Sequence, residues 1–457
     1  MRRAFFLGVV LLATACSSAS TAATSPPASA GGVIGAARYK LQVPQNWNGS
    51  LFLYSHGFVV RGRPNPPMDA PGPGNAVSSW LLRNGYAIAG SSYSSAGWSV
   101  EDALNDQMAL LDLFEHRIAK PQRVIVWGDS MGGLIAAALA QLHPDRFAGA
   151  IPMCGVLSGA IGYFNTILDG AYAFRTLLAP GSDLRLVHVP ESTANLATAL
   201  DVYHEASTTP AGVARLALVG ALADLPGWYA PGTPEPASDD LAGWSVAEEQ
   251  WLSAFLLPAA FGRGDLEQRA GGNPSWNVGV DYRHQLSISL DRDRVVALYQ
   301  AAGLDLDADL AALDSGPRID ADPRAVVALE PHQSFDGRLT IPVLTMHTTD
   351  DGLVVAQGET AYGDVVRAAG KQGLLRQVYV HRAGHCDFTA AETIALAQSM
   401  IDRLDRGVWD DKALQPAALN ARARVVGSEV QAGGDGYVDP AFVDFNPGPF
   451  PRPFPMP

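Results

Sequence analysis

Gly128-Asp129-Ser130-Met131-Gly132 places a serine between glycines two positions away on either side. The apolar run Val124-Ile125-Val126-Trp127 precedes it, and an Ala/Leu-rich stretch reaching Leu142 follows. A strand that passes straight into a helix needs a sharp turn, and the flanking glycines relieve the crowding of that turn. The turn lifts the Ser130 hydroxyl clear of the sheet's carboxyl edge. The helix N-terminus behind it favours negative charge developing there. The chemistry is nucleophilic attack on a carbonyl, once a base removes the hydroxyl proton. A serine that only starts a helix would satisfy the bare motif, but the strand before it and the helix after it favour the nucleophile.

His385, in Ala383-Gly384-His385-Cys386, follows a segment that ends at Val380 and stands where a loop base belongs. His381 abuts that segment and is its nearest rival. Asp350 and Asp351 lie in His347-Thr348-Thr349-Asp350-Asp351-Gly352-Leu353-Val354, directly after a segment ending at Met346. Either carboxylate is placed to orient an imidazole. His381 and His385 are four apart but lack the helical H-E-x-x-H context, and no cysteine spacing suits zinc, so no metal or cofactor is expected.

The elements that position these residues read as alternating strands and helices. Arg38 to Val43, Ser50 to Ser55, Tyr86 to Gly90, Val124 to Trp127 and Phe147 to Met153 read as strands. Helices are predicted from Asn75 to Asn84, from Ser99 with Asp102 as a capping-box variant, and from Ser130 to Leu142. The alternation resumes with strands at Pro342 to Met346 and Leu375 to Val380, and helices at Ala356 to Ala369 and after Thr389, where Glu392 completes a capping box. This pattern implies one mostly parallel sheet flanked by helices.

From Gly155 to Leu339 helical segments dominate: Ala194 to Glu205, Ala211 to Ala223, Ser245 to Phe255 and Asp293 to Ala302. Because strands resume afterwards, this stretch is expected to be a helical cap over the edge that bears Ser130. Trp228, Trp244, Trp251 and Trp276 crowd it and fit either a cap core or a substrate groove. The organisation read from the chain is a leader over 1–15, a flexible tether over 16–36, core over 37–154, cap over 155–339, core again over 340–407 and an extension over 408–457. The last stretch, Asn446 to Pro457, is expected to run extended over the surface.

Hydrophobic residues make up 47% of the 457 residues and charged ones 17%, as in a well-packed globular chain. The net charge of −14 argues against nucleic acid and anionic lipid as partners. Arg2 and Arg3 precede an apolar run from Ala4 to Ala15, too short to span a bilayer. Leu12-Ala13-Thr14-Ala15-Cys16 resembles a bacterial lipoprotein signal, with Cys16 as lipidation candidate; an ordinary secretory signal is the alternative. Both export the chain, as a secreted or membrane-tethered protein. With Cys16 lipidated or removed, Cys154 and Cys386 remain. Cys154 ends the strand beside the nucleophile strand, and Cys386 must follow His385 to Ser130. The two are therefore expected to meet in a disulfide.

Taken together, Arg38 to Gly407 resembles the α/β-hydrolase fold, and the chain is similar to secreted bacterial hydrolases of the esterase and peptidase sort. That resemblance implies the chain order serine, acid, histidine. It selects Asp351, since acid loops of this family often run Asp, two residues, then Val, as Asp351 and Val354 do. It also makes His56-Gly57-Phe58 an oxyanion loop, in which the backbone N–H of Phe58 pairs with that of Met131. The His385-Cys386 pair resembles tannases and feruloyl esterases, which carry the partner cysteine just before the nucleophile; Asp129 stands there in this chain. The expected reaction is two-step transfer of an acyl group to water by Ser130, His385 and Asp351, on a small-molecule or polymer ester. The alternatives are a peptidase, whose substrate ammonium Asp239, Asp240, Glu248 and Glu249 would hold, and a ligand-binding lipoprotein without turnover.

Overall fold

The structure, a computed structural model, describes residues 28–62, 70–190, 193–430 and 438–454. The leader, Cys16 and the tether up to residue 27 lie outside the described residues. Among the described residues nine strands form one sheet: β1 (Ala28–Ile34), β2 (Ala37–Val43), β3 (Ser50–Ser55), β4 (Ala87–Ser91), β5 (Arg123–Asp129), β6 (Gly149–Met153), β7 (Val343–Asp350), β8 (Leu375–Ala383) and β9 (Phe442–Val443). Their order is β1-β2-β4-β3-β5-β6-β7-β8-β9. The run from β4 to β8 is parallel, and the outer strands β1, β2 and β9 pair antiparallel. The order reverses between β3 and β5, because β4 lies on one side of β3 and the chain then crosses to the other. Open sheets of this kind bind ligands outside the carboxyl ends of the strands at such a reversal. Both Ser130 and His56-Gly57-Phe58 follow those two strands.

The central strands are apolar throughout because both of their faces are covered. Leu51, Leu53, Val124 and Val126 pack on one side, with the helices Val100–Arg117 and Met131–Leu142. Phe52, Tyr54, Ile125 and Trp127 pack on the other, with the helices Asn75–Arg83 and Ala390–Arg406. The Thr389–Glu392 capping box is present with both of its hydrogen bonds. The one expected at Ser99 is not: the Ser99 side chain makes no cap bond, and Asp102 accepts from Ser95 and pairs with Arg269 at 3.1 Å. An arginine from the cap outcompetes the local bond.

Two expectations are corrected at the chain's ends. The stretch read as tether becomes strand from Ala28 to Ile34, in register with β2 from Ala28↔Val43 to Ile34↔Ala37. Gly35, at φ 57, supplies the left-handed turn that joins them. The extension over 408–457 belongs to the fold. Its helix Pro416–Val430 lies on Ala390–Arg406, with Arg422 bonded to Asp402 at 2.7 Å, and β9 extends the sheet. The final stretch does not merely cross the surface. Arg452 grips the fully buried Asp169 of the cap through both carboxylate oxygens at 2.7 and 2.8 Å and donates to the Trp276 carbonyl at 2.7 Å. Phe454 meets the Trp276 ring edge-on. Arg452→Ala would leave a buried carboxylate without its cation, so a stability loss of about 3–5 kcal/mol is expected in urea unfolding.

Candidate active site

Strand β5 ends at Asp129, and the helix Met131–Leu142 begins one residue after Ser130. Ser130 sits at φ 58, a left-handed value that costs energy for a residue with a side chain. The glycines two positions away are obligatory. A Cβ at Gly128 would lie 2.4 Å from the Ser55 carbonyl oxygen, and one at Gly132 would lie 2.0 Å from it. The strained turn survives because the β3 backbone presses on both of its arms.

The Ser130 hydroxyl lies 2.8 Å from His385 Nε2, and His385 Nδ1 lies 2.7 Å from Asp351 Oδ2. With the imidazole neutral, Nδ1–H donates to Asp351 and Nε2 accepts from Ser130. Asp351 is buried, and its Oδ1 accepts from the N–H groups of Leu353 and Val354, both at 3.0 Å. Burial alone would push its pKa up, but the His385 and His347 rings outweigh burial and hold it at about 2. The competing residues turn elsewhere. Asp350 accepts from Thr349 at 2.7 Å, and burial pushes it up to about 6. His381 pairs with Glu235 of the cap at 3.0 Å, against the Trp228 ring.

Gly57 packs against the serine: a Cβ there would lie 3.1 Å from Ser130 Cβ. His56 is fixed beneath it, bonded through Nδ1 to the Gly57 carbonyl at 2.7 Å and stacked on Tyr93 with centroids 3.9 Å apart. Burial lowers the His56 pKa, so the ring stays neutral. The neighbouring Phe58 follows at the mouth of the site with its ring half exposed. Met131 is the first residue of its helix, where backbone N–H groups lack intrahelical acceptors. Asp129, partly buried, accepts from the Tyr54 hydroxyl at 2.8 Å.

Cys386 bonds to Cys154, with Cα atoms 5.3 Å apart at a sequence separation of 232. The bridge ties the loop bearing His385 to the end of β6, enclosing the whole cap. Cys154→Ala/Cys386→Ala should therefore lose about 3–5 kcal/mol in chemical denaturation, by the chain-entropy account of long loops.

The cap lies over the carboxyl edge, as expected. Trp98, after β4, donates to Gln333 at 2.7 Å; Tyr163 donates to the Leu353 carbonyl, after β7, at 2.9 Å. The tryptophans divide: Trp244 and Trp251 are buried in the cap's core, while Trp228 stands partly exposed beside His381. The four acidic residues weighed as an ammonium site differ in exposure. Asp239 and Asp240 are exposed, Asp240 caps the helix Leu241–Trp251, and Glu248 is buried. The sequence reading also missed the buried pair His347 and Glu359, which bond at 3.1 Å behind Asp351. Nothing in their spacing announces them, since they meet only when the helix Gln357–Ala368 packs on β7.

Sheet order, turn and cap define an α/β-hydrolase with serine-hydrolase machinery at the order reversal. The chain belongs to the family of an o-phthalyl amidase from Xanthobacter agilis, with which it is 30% identical over 425 residues, 86% of this chain and 90% of the amidase. The prolyl oligopeptidase family model matches residues 88–168. Among solved structures, the chain is similar to feruloyl esterase B from Aspergillus oryzae, at 13% identity and a TM-score of 0.41, covering 82% of this chain and 78% of that one. It is also similar to the acylaminoacyl peptidase of Pyrococcus horikoshii, at 10% identity and a TM-score of 0.34. That match covers 84% of this chain and spans 41% of the peptidase.

Proposed function

We propose that the chain is an exported serine hydrolase that cleaves carboxylic esters, and amides of small carboxylic acids, through an acyl-enzyme at Ser130. The observation that carries this reading is the continuous line from Ser130 through His385 to Asp351, with bonds of 2.8 and 2.7 Å. His385 takes the hydroxyl proton as Ser130 attacks the carbonyl, and the resulting imidazolium is held by ionised Asp351. The oxyanion is received by the backbone N–H groups of Phe58 and Met131. Loss of one such donor typically costs about 10²-fold or more. His385 then protonates the departing alcohol or amine, and in the second step activates water against the acyl-serine.

The amidase relative favours the amide of a small acid, and the exposure of Asp239 and Asp240, with Asp240 spent as a helix cap, weakens the peptidase alternative. The Cys154–Cys386 bridge supports export, because disulfides persist in oxidising compartments. Among the described residues no helix is long and apolar enough to cross a membrane. A membrane tether through Cys16 rests on the leader alone. The test is a comparison of kcat/KM on an aryl ester, a phthalyl-type amide and an aminoacyl anilide. The reading expects the first two to be turned over and the third to lag behind. Preference for the anilide would replace it with the peptidase reading.

A further inference from the structure

His347 lies on β7, four residues before Asp351, and is wholly buried. Both of its ring nitrogens face acceptors. Nδ1 lies 3.1 Å from Glu359 Oε1. Nε2 lies 2.8 Å from the Val354 carbonyl oxygen and 3.4 Å from Asp351 Oδ2. A neutral imidazole has one N–H and one lone pair, so it would set a lone pair against one of these oxygens. Glu359 is surrounded by donors: its Oε2 receives the Thr345 hydroxyl and the Gln377 amide, each at 2.6 Å. Those two hydrogens fall on Oε2 and leave Oε1 to face the imidazole as an acceptor.

We infer that His347 is a buried imidazolium that positions Asp351 and sets the basicity of His385. The inference rests on the reading of Ser130, His385 and Asp351 as the reacting line. Charge then alternates from Glu359 through His347 to Asp351, ending at His385. Burial alone would lower the His347 pKa, but the Asp351 and Glu359 carboxylates outweigh it and hold the ring at about 10. Through Val354 the ring also grips the turn whose N–H groups bind Asp351 Oδ1. The other titratable groups facing this line are Tyr163 beside Asp351, Tyr362 and Tyr379 beside Glu359, and Asp129 beside His385. Burial pushes the three tyrosines up, so they stay neutral in the working range.

The consequence is kinetic. A cation behind Asp351 offsets part of that carboxylate's pull on His385, and so keeps the base neutral at lower pH. In His347→Gln the cation is gone, His385 becomes easier to protonate, and the acid limb of kcat/KM should move up by about one pH unit. A merely structural role would lower the rate at every pH and leave the limb in place, and that outcome overturns the inference. Ser130→Ala serves as the companion measurement. If it keeps activity, the reacting line itself is wrong; if it is dead while the His347→Gln limb stays fixed, only the role of His347 is.

Should His347→Gln fail to fold, wild-type protein labelled with nitrogen-15 histidine decides. The His347 signal, recognised by its displacement in Glu359→Gln, should show protons on both ring nitrogens from about pH 5 to about pH 9. A single ring N–H at neutral pH would refute the imidazolium.

Discussion

His385→Ala is expected to lower kcat/KM on an activated ester by about 10⁴-fold or more, with Ser130→Ala matching it, while both proteins keep the wild-type melting temperature. The two residues act as one unit. A serine without its base is a poor nucleophile, and the base without its serine has nothing to deprotonate. The double variant should therefore be no worse than either single one. Neither side chain carries the fold: Ser130 and His385 stand at the sheet edge, and the turn around Ser130 is held by the β3 backbone. A rate loss accompanied by unfolding would leave the assignment without support. A well-folded His385→Ala that still turned over would point to His381 or to no histidine at all.

Asp351→Asn should cost about 10³–10⁴-fold in kcat, and Asp350→Asn less than about threefold. An amide at 351 offers Nδ1 of His385 either its oxygen or its N–H. It no longer holds the ring in the tautomer that accepts from Ser130, nor balances the imidazolium. Asp350 points to Thr349 and makes no such bond. The two substitutions should also separate in stability. The Asp350 pKa is raised to about 6 from an unfolded value of about 3.9, so its ionisation opposes folding. That penalty is absent below about pH 4 and is complete above about pH 6. Asp350→Asn should thus gain about 1–2 kcal/mol in denaturant unfolding at pH 8, allowing for partial exposure, and little at pH 4. Asp351 has the opposite sign. Its pKa is lowered to about 2, so its contribution is present above about pH 4 and is lost as pH falls through about 2. Equal kinetic losses at the two positions would reverse the register.

The site was legible where chemistry dictates local sequence. The turn at Ser130 demands glycine on both sides, and Asp351 and His385 each stand just beyond the carboxyl end of a strand, β7 and β8. What escaped has physical reasons. The helix Gly159–Leu178 buries 17 of its 20 residues, so no polar stripe marks its period. Strand β1 is built of small residues with weak strand preference, and its pairing comes from the register of β2 and the turn at Gly35. The anchoring of Arg452 depends on Asp169, 283 residues away. The disulfide was foreseen because each cysteine was independently drawn to one edge by its neighbours, Cys154 by its strand and Cys386 by His385.

The central claim is that turnover passes through an acyl group on Ser130. Rapid quenching in the first turnovers of an ester with a slowly hydrolysed acyl group, followed by peptide mass spectrometry, tests it directly. The account predicts one peptide, the one containing Gly128-Asp129-Ser130-Met131-Gly132, heavier by the acyl mass and unmodified in Ser130→Ala. Turnover with no acylated peptide, or with the acyl group on another residue, would contradict it.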